Sequence, residues 1–380
     1  MNCEKSFFIV DKHKEVCYNI SDFELQQKRR SNKHFKRRNE TMKIVCFGEM
    51  MLRLSPEGYT RFTQAHSFGA TYSGAEANVA VSCANYGLDA SFVTKIPDND
   101  IGQAAINGIR ALGVDTSDIV RGGERLGIYF AEKGASQRGS KVIYDRKYSS
   151  IAAAEPSDFD WNKILDGAEW FHWTGITPAL SDNAAKITLD ACKAAKEKGI
   201  TVSCDLNFRK NLWSKEKANT VMSELCKYVD VCIANEEDAE MVFGITSEGT
   251  DTETGKLNYE GYKDCAKQLA DRFGMKFVAF TLRTSISAFD NDWAAMLYDG
   301  NNCYFSKTYH LHIVDRIGGG DSFGGGLIYA LSTGKSAQDS IEFAVAASAL
   351  KHSIEGDFNL VSLSEVNNLL KTGGSGRVQR

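Results

Sequence analysis

From residue 42 onward the chain alternates between two hydrophobic patterns. Short runs rich in β-branched and aromatic residues are followed by longer stretches whose apolar positions recur every three or four residues. Residues 44–48, 92–96, 170–174, 201–205, 231–234 and 277–282 read as strands. Residues 76–86, 101–112, 183–198, 215–228, 236–243 and 260–273 read as helices, the first with Val79, Ala80, Cys83 and Ala84 on one face, the second closed by Gly113. Such alternation predicts an α/β domain, a mostly parallel central sheet flanked by helices on both faces.

Two stretches break the rhythm. Residues 49–73 and 121–150 pattern as strands and turns with no helix between them, and 127–132 and 141–144 alternate as hairpin arms would. They predict a small β-sheet lid beside the carboxyl ends of the main strands, where open α/β sheets bind ligands. The organisation expected is a disordered basic extension over 1–41, a domain over 42–372 carrying the lid, and a tail over 373–380.

Composition narrows the class. With 380 residues, 43% hydrophobic and 25% charged, the chain can bury a large core, which excludes disorder, collagen and coiled coil. No apolar run approaches the roughly 18 residues of a membrane span. The ten cysteines include no Cys-x-x-Cys pair, so reduced thiols in a cytoplasmic protein are expected, without zinc or disulfides. His310 and His312 alternate as on a strand, with no third ligand nearby to make a metal site.

Residues 1–41 hold ten Lys/Arg against six Asp/Glu, while the whole chain carries −4. The cluster Lys28, Arg29, Arg30, Lys33, Lys36, Arg37 and Arg38 could bind nucleic acid, act as an address, or form an unstructured arm. Because Met42-Lys43-Ile44-Val45-Cys46-Phe47-Gly48 reads as a first strand, Met42 is the expected natural start, and no nucleic-acid partner is expected.

The strongest chemical signal is Asp315-Arg316-Ile317-Gly318-Gly319-Gly320-Asp321-Ser322-Phe323-Gly324-Gly325-Gly326-Leu327. Glycines running into a helix at 321–333 leave main-chain amides free to hold phosphate, aided by the helix dipole. An acidic side chain in that nest cannot bind phosphate, but Asp321 could accept a proton from an attacking hydroxyl. The plainer alternative is an N-cap and a tight turn, although a cap needs one residue and not six surrounding glycines. Gly74 and Asn78, in Ser73-Gly74-Ala75-Glu76-Ala77-Asn78-Val79-Ala80, would offer an amide and a carboxamide to a polyhydroxylated ligand. Neither a P-loop nor a Gly-x-Gly-x-x-Gly after the first strand is present.

Together these motifs resemble the two signatures of the ribokinase-like (PfkB) carbohydrate kinases, over about residues 42–370. The resemblance implies a ribokinase-like fold with a β-sheet lid, and phosphoryl transfer from ATP with Mg²⁺. It makes Asp321 the catalytic base and Gly318, Gly319 and Gly320 the anion hole. Asn235-Glu236-Glu237-Asp238 resembles the family's Asn-x-x-Glu motif, with Asn235 and Asp238 near the metal through water. Thr281-Leu282-Arg283-Thr284-Ser285-Ile286 stands where a nucleotide-contacting Gly-x-x-Gly turn is usual; both glycines are missing, and Arg283 either compensates for them or is a surface residue. His352 is implied on the nucleotide side, in Lys351-His352-Ser353-Ile354-Glu355-Gly356-Asp357-Phe358-Asn359.

Within the family, this last segment, Gly127-Ile128-Tyr129, Tyr144-Asp145-Arg146-Lys147, Thr174 to Leu180 and Asp205 to Trp213 resemble the kinases of 2-keto-3-deoxygluconate. That implies phosphorylation of the sugar acid's 6-hydroxyl. Arg146 and Arg209 would grip the carboxylate bidentately, and Tyr129 and Tyr144 would add hydroxyls and a wall. The alternatives are a fructokinase or another neutral-sugar kinase of the same fold, a non-catalytic binding protein, and nucleic-acid binding through 28–38. An exposed lid sheet would also favour a homo-oligomer.

Overall fold

The computed structural model describes residues 41–246 and 259–374. The expectations for 1–40 and for the end of the tail, 375–380, lie outside the described residues.

Nine strands form the main sheet. Reading from one edge, the order is Cys303–Phe305, Asp290–Tyr298, Phe277–Ser285, Val231–Ala234, Thr201–Asp205, Trp170–Thr174, Lys43–Phe47 and Asp89–Val93, with Tyr309–His312 also pairing to Asp290–Tyr298. The six strands from Phe277–Ser285 to Asp89–Val93 are parallel. The strand Lys43–Phe47 shows why. Val45 and Phe47 join one buried cluster with Ile187, Met222 and Leu269 of the helices Asp182–Glu197, Lys215–Leu225 and Tyr259–Phe273. Ile44 and Cys46 join the other, with Val79, Phe323 and Ile341 of the helices Ala75–Asn85, Gly319–Ser332 and Ala337–Lys351. A strand buried on both faces reads as a continuous apolar run, as it does here.

Of the antiparallel edge, in which Asp290–Tyr298 pairs with Phe277–Ser285, Cys303–Phe305 and Tyr309–His312, the strands Asp290–Tyr298 and Cys303–Phe305 were not foreseen from the sequence. His310 and His312 lie on it, exposed, each with its ring Nδ1 against the carboxylate of its register partner, Asp292 at 2.5 Å and Asp290 at 2.8 Å. No group of three or more ligating side chains fit for a metal occurs among the described residues.

Both irregular excursions become the second sheet, ordered Gly69–Ser73, Met51–Ser55, Gly127–Glu132 and Lys141–Asp145. The last of these is an edge with all five residues exposed. The eight described cysteines are all free and seven are buried. No described helix is long and apolar enough to cross a membrane.

The glycine-led helix begins at Gly319, earlier than its sequence suggests, because Gly318 takes the left-handed conformation at its start (φ 80°). Further along it, two glycines, Gly325 and Gly326, prove to be packing residues and not part of an anion nest. A Cβ on Gly325 would fall 2.5 Å from Ser82 Cβ, and one on Gly326 3.0 Å from Ala344 Cα. The lack of side chains at these two positions lets the helix pack against Ala75–Asn85 and Ala337–Lys351.

Candidate active site

A cavity of about 470 Å³ opens where the parallel strands end, between the small sheet and the glycine-led helix. Asp321 stands in the first turn of that helix and faces it. Asn78 Nδ2 donates to Asp321 Oδ2 at 2.7 Å, which joins the two sequence signatures in space. Burial pushes the Asp321 carboxyl up to about 6, against the opposing pull of the Asn78 bond, Arg209 and Lys351. That value suits a base operating near neutrality.

Beneath it, the main-chain amides of Gly320 and Asp321 have no hydrogen-bond partner among the described residues. The neighbouring glycines divide the work. A Cβ at Gly318 would sit 2.0 Å from the carbonyl oxygen of Asp357, and one at Gly319 2.6 Å from the His352 ring, while Gly320 faces open space. Gly318 and Gly319 are therefore required by packing as much as by any ligand. The fully buried Lys351 ammonium holds this turn from below, donating to the carbonyls of Asp315 (3.1 Å) and Ile317.

His352, implied on the nucleotide side, lies under Gly319 and does not line the cavity. Its Nδ1 meets Ser348 O at 2.7 Å, its ring packs on Trp293, and burial pushes its pKa down to about 4. It is a neutral support for the turn.

The residues expected to face the sugar all line the cavity, but two of them have their polar groups already engaged by other side chains. The Tyr129 hydroxyl is buried against Asp357 and against Ser73 Oγ (2.7 Å), so it is not a free donor. Arg146 lines the cavity, but its Nε (2.8 Å) and a terminal nitrogen both bond Glu49, whose other oxygen accepts from Ser149 (2.6 Å). Its charge is neutralised in place. Tyr144, on the exposed edge strand, lines the cavity, its ring tilted against Tyr129 and lying under the Arg146 guanidinium. Gly74 lines the cavity with no room to spare, since a Cβ there would meet the Glu49 carbonyl oxygen at 1.9 Å.

Arg209 differs. It follows the strand Thr201–Asp205 through Asn207, which adopts a left-handed φ of 38°, and it is exposed over the cavity. Among the described residues its guanidinium makes one hydrogen bond, donating to the Phe208 carbonyl at 3.2 Å. Its field reaches Asp205, Asp238 and Asp321, opposing the upward shift that burial imposes on each. Asp205 was missed by sequence reasoning. Burial, then the facing carboxylates of Asp238 and Asp321, raises its pKa well above the usual range.

Asn235 and Asp238 form a reciprocal capping box on the helix Glu236–Phe243. Both Asp238 oxygens are engaged by amides, of Phe208 (2.8 Å) and Asn235 (3.2 Å). A metal beside them would be reached through water, with Glu237 and Asp205 also lining that wall.

The largest omission from the sequence reading is Arg53. This strand residue of the small sheet reaches Asp315 (2.9 Å) and Asp357, all three buried, and Ser73 Oγ also donates to Asp357 at 2.6 Å. It pins the small sheet to both segments flanking the glycine turn.

Comparison with known proteins agrees with this architecture. Residues 41–359 match the pfkB family carbohydrate kinases. A 2-dehydro-3-deoxygalactonokinase of Haloferax volcanii is 31% identical over 336 residues, 88% of this chain and 99% of that protein. A 2-dehydro-3-deoxygluconokinase of Thermoproteus tenax is 28% identical over 86% of this chain and 94% of its own length. The crystal structure of the 2-dehydro-3-deoxygluconokinase of Thermotoga maritima superposes with a TM-score of 0.84 at 53% identity, covering 87% of this chain and 99% of that one. On this match and on its fold, the chain belongs to the pfkB family of carbohydrate kinases.

Proposed function

We propose that this kinase transfers the γ-phosphoryl group of ATP to the 6-hydroxyl of 2-keto-3-deoxygluconate (2-dehydro-3-deoxygluconate), giving the 6-phosphate. The observation that carries the reading is one cavity holding a carboxylate with a pKa near 6 beside unpartnered amides, with an exposed arginine free for a second anion. The names of the Thermotoga and Thermoproteus relatives support the acidic sugar. A chain that is net −4 cannot attract an anion by bulk charge, so a local cation is needed.

In this reading Arg209 grips the substrate carboxylate, and Arg146, held by Glu49, shapes the wall behind it. Asn78 orients Asp321, which takes the 6-hydroxyl proton as the oxygen–phosphorus bond forms and the bond to the ADP oxygen breaks. The amides of Gly320 and Asp321 receive the developing negative charge. Magnesium, held through water near Asn235, Glu237, Asp238 and Asp205, would neutralise phosphate charge. The small sheet acts as the lid that excludes water. Its exposed edge Lys141–Asp145 supports self-association, and the free thiols support a cytoplasmic setting.

Asp321→Asn should lower kcat about 10³-fold with sugar binding retained; undiminished turnover would end the proposal. Assays with the gluconate substrate, its galactonate epimer and fructose sort the substrates. The Haloferax relative favours testing the epimer as the second reading, and a preference for fructose would make this a neutral-sugar kinase.

A further inference from the structure

One buried cation lies close to the reacting groups and faces no ligand. Lys351, the last residue of the helix Ala337–Lys351, is fully buried and does not line the cavity. The buried arginines Arg53 and Arg146 meet carboxylates, but Lys351 forms no ion pair with one among the described residues. Its ammonium donates instead to two main-chain carbonyls, those of Asp315 (3.1 Å) and Ile317. Taking an ammonium out of water with no carboxylate against it is costly. Burial accordingly pushes the Lys351 pKa down, opposed by the fields of Asp315, Asp357 and Asp321. A methionine would fill the same space without that cost, so the charge itself calls for a role.

The two acceptors point to one. Neither carbonyl accepts from a main-chain amide among the described residues, whereas the carbonyl between them, of Arg316, accepts from Gly319 N at 3.2 Å. In a trans peptide the C=O and the following N–H lie on opposite sides of the chain. The carbonyls of Asp315 and Ile317, drawn toward Lys351, therefore send the amides of Arg316 and Gly318 the other way. Neither of these amides has an acceptor among the described residues, and both residues line the cavity. The amide between them, of Ile317, is taken up by Asp315 Oδ1 at 3.1 Å. Alternate peptide dipoles are thus aligned on one internal cation, with their positive ends directed away from it.

We infer that Lys351 is a positioning residue for phosphoryl transfer: its ammonium is a built-in cation that aligns the peptides after Asp315 and Ile317, so that the amides of Arg316 and Gly318 are set toward the cavity before the phosphoryl group arrives. This role rests on the phosphotransferase reading and adds to it a side chain that touches no substrate. Donors fixed in advance are the effective ones, because the reacting step then has no dipoles left to reorient.

Steady-state kinetics of the full chain, with ATP and 2-keto-3-deoxygluconate, separate this role from simple support of the fold. Lys351→Met keeps most of the packing and removes the charge. It should lower kcat about 10²-fold and leave the KM for the sugar within about twofold. Lys351→Ala leaves a space into which a small cation fits. Ammonium chloride should restore its kcat saturably, and tetramethylammonium chloride at equal ionic strength should not. Wild type and Lys351→Met, in which that space is filled, should gain nothing from either salt. Unchanged kcat in Lys351→Met, or a Lys351→Ala variant that ammonium ions do not recover, would leave Lys351 a structural prop and overturn the inference. A wild-type chain that moves no phosphate from ATP to any sugar tested would overturn the phosphotransferase reading, and this role with it.

Discussion

The two ends of the cavity handle charge in opposite ways. Toward the small sheet, each buried cation has a carboxylate: Arg53 lies between Asp315 and Asp357, and Arg146 is clasped by Glu49. Toward the glycine turn and the strand end at Asp205, the exposed Arg209 and Arg283 and the half-buried Arg316 have none among the described residues, and two helix amides are also unpaired. Buried charge is tolerated when it is paired, whereas a cation that faces an open cavity can wait for a ligand. The first end is a frame, and the second is where ligands complete the structure.

The largest effect should come from breaking the frame. Arg53→Met leaves Asp315 and Asp357 facing each other in a buried site, a change worth about 3–5 kcal/mol. Thermal unfolding should show a marked drop in Tm. Because Gly318 packs on the Asp357 carbonyl, phosphoryl transfer should fall as well. The variant Arg53→Met/Asp357→Asn should recover part of that stability, as expected for removal of both partners. An unchanged Tm in Arg53→Met would mean that the distinction between paired and unpaired arginines has no energetic content.

The two arginines expected to grip the sugar sharpen the comparison. Arg209→Ala should raise the KM for the acidic sugar about 10-fold or more, with little change for fructose and little change in Tm. Arg146→Ala should do the reverse, lowering Tm because Glu49 is left buried and unpaired, and Glu49→Gln in the same chain should restore part of it. Equal kinetic effects from both would place Arg146 on the substrate after all.

Much of this was legible in sequence, for identifiable reasons. Apolar runs and helical periodicity located five of the six parallel strands and placed the sixth, Asp89–Val93, three residues late, since a strand buried on both faces must be apolar throughout. Asp321 stood out because a carboxylate among glycines at a helix start is chemically unusual. The antiparallel edge was not legible: Trp293 to Leu297 reads equally well as a helix, and only the turn signal Asp299-Gly300-Asn301-Asn302 marks a hairpin there. Local sequence could not show that Arg146 is neutralised, because Glu49 is 97 residues away. Nor could it reveal Arg53, whose partners lie 262 and 304 positions along the chain. The glycines misled in one respect, since Gly325 and Gly326 serve helix contact. Pattern identifies what a segment is; who neutralises whom depends on contacts that only folding creates.

The smallest effect is the most direct reading of the ligand end. Asp321 must be ionised to accept a proton, so kcat/KM should rise with pH through about 6 and then level off. Arg209 favours the ionised carboxylate electrostatically, as does the Asn78 hydrogen bond. Removing either should therefore raise the Asp321 pKa and move the acid limb to higher pH, whereas Arg146→Lys, acting on a cation already paired with Glu49, should leave the limb in place. Profiles measured with a neutral sugar separate this field effect from carboxylate binding, since no substrate anion then competes for Arg209. A limb that moves equally in the Arg209 and Arg146 variants would show that the whole cavity shares one electrostatic environment and is not divided into a neutralised frame and an open ligand end.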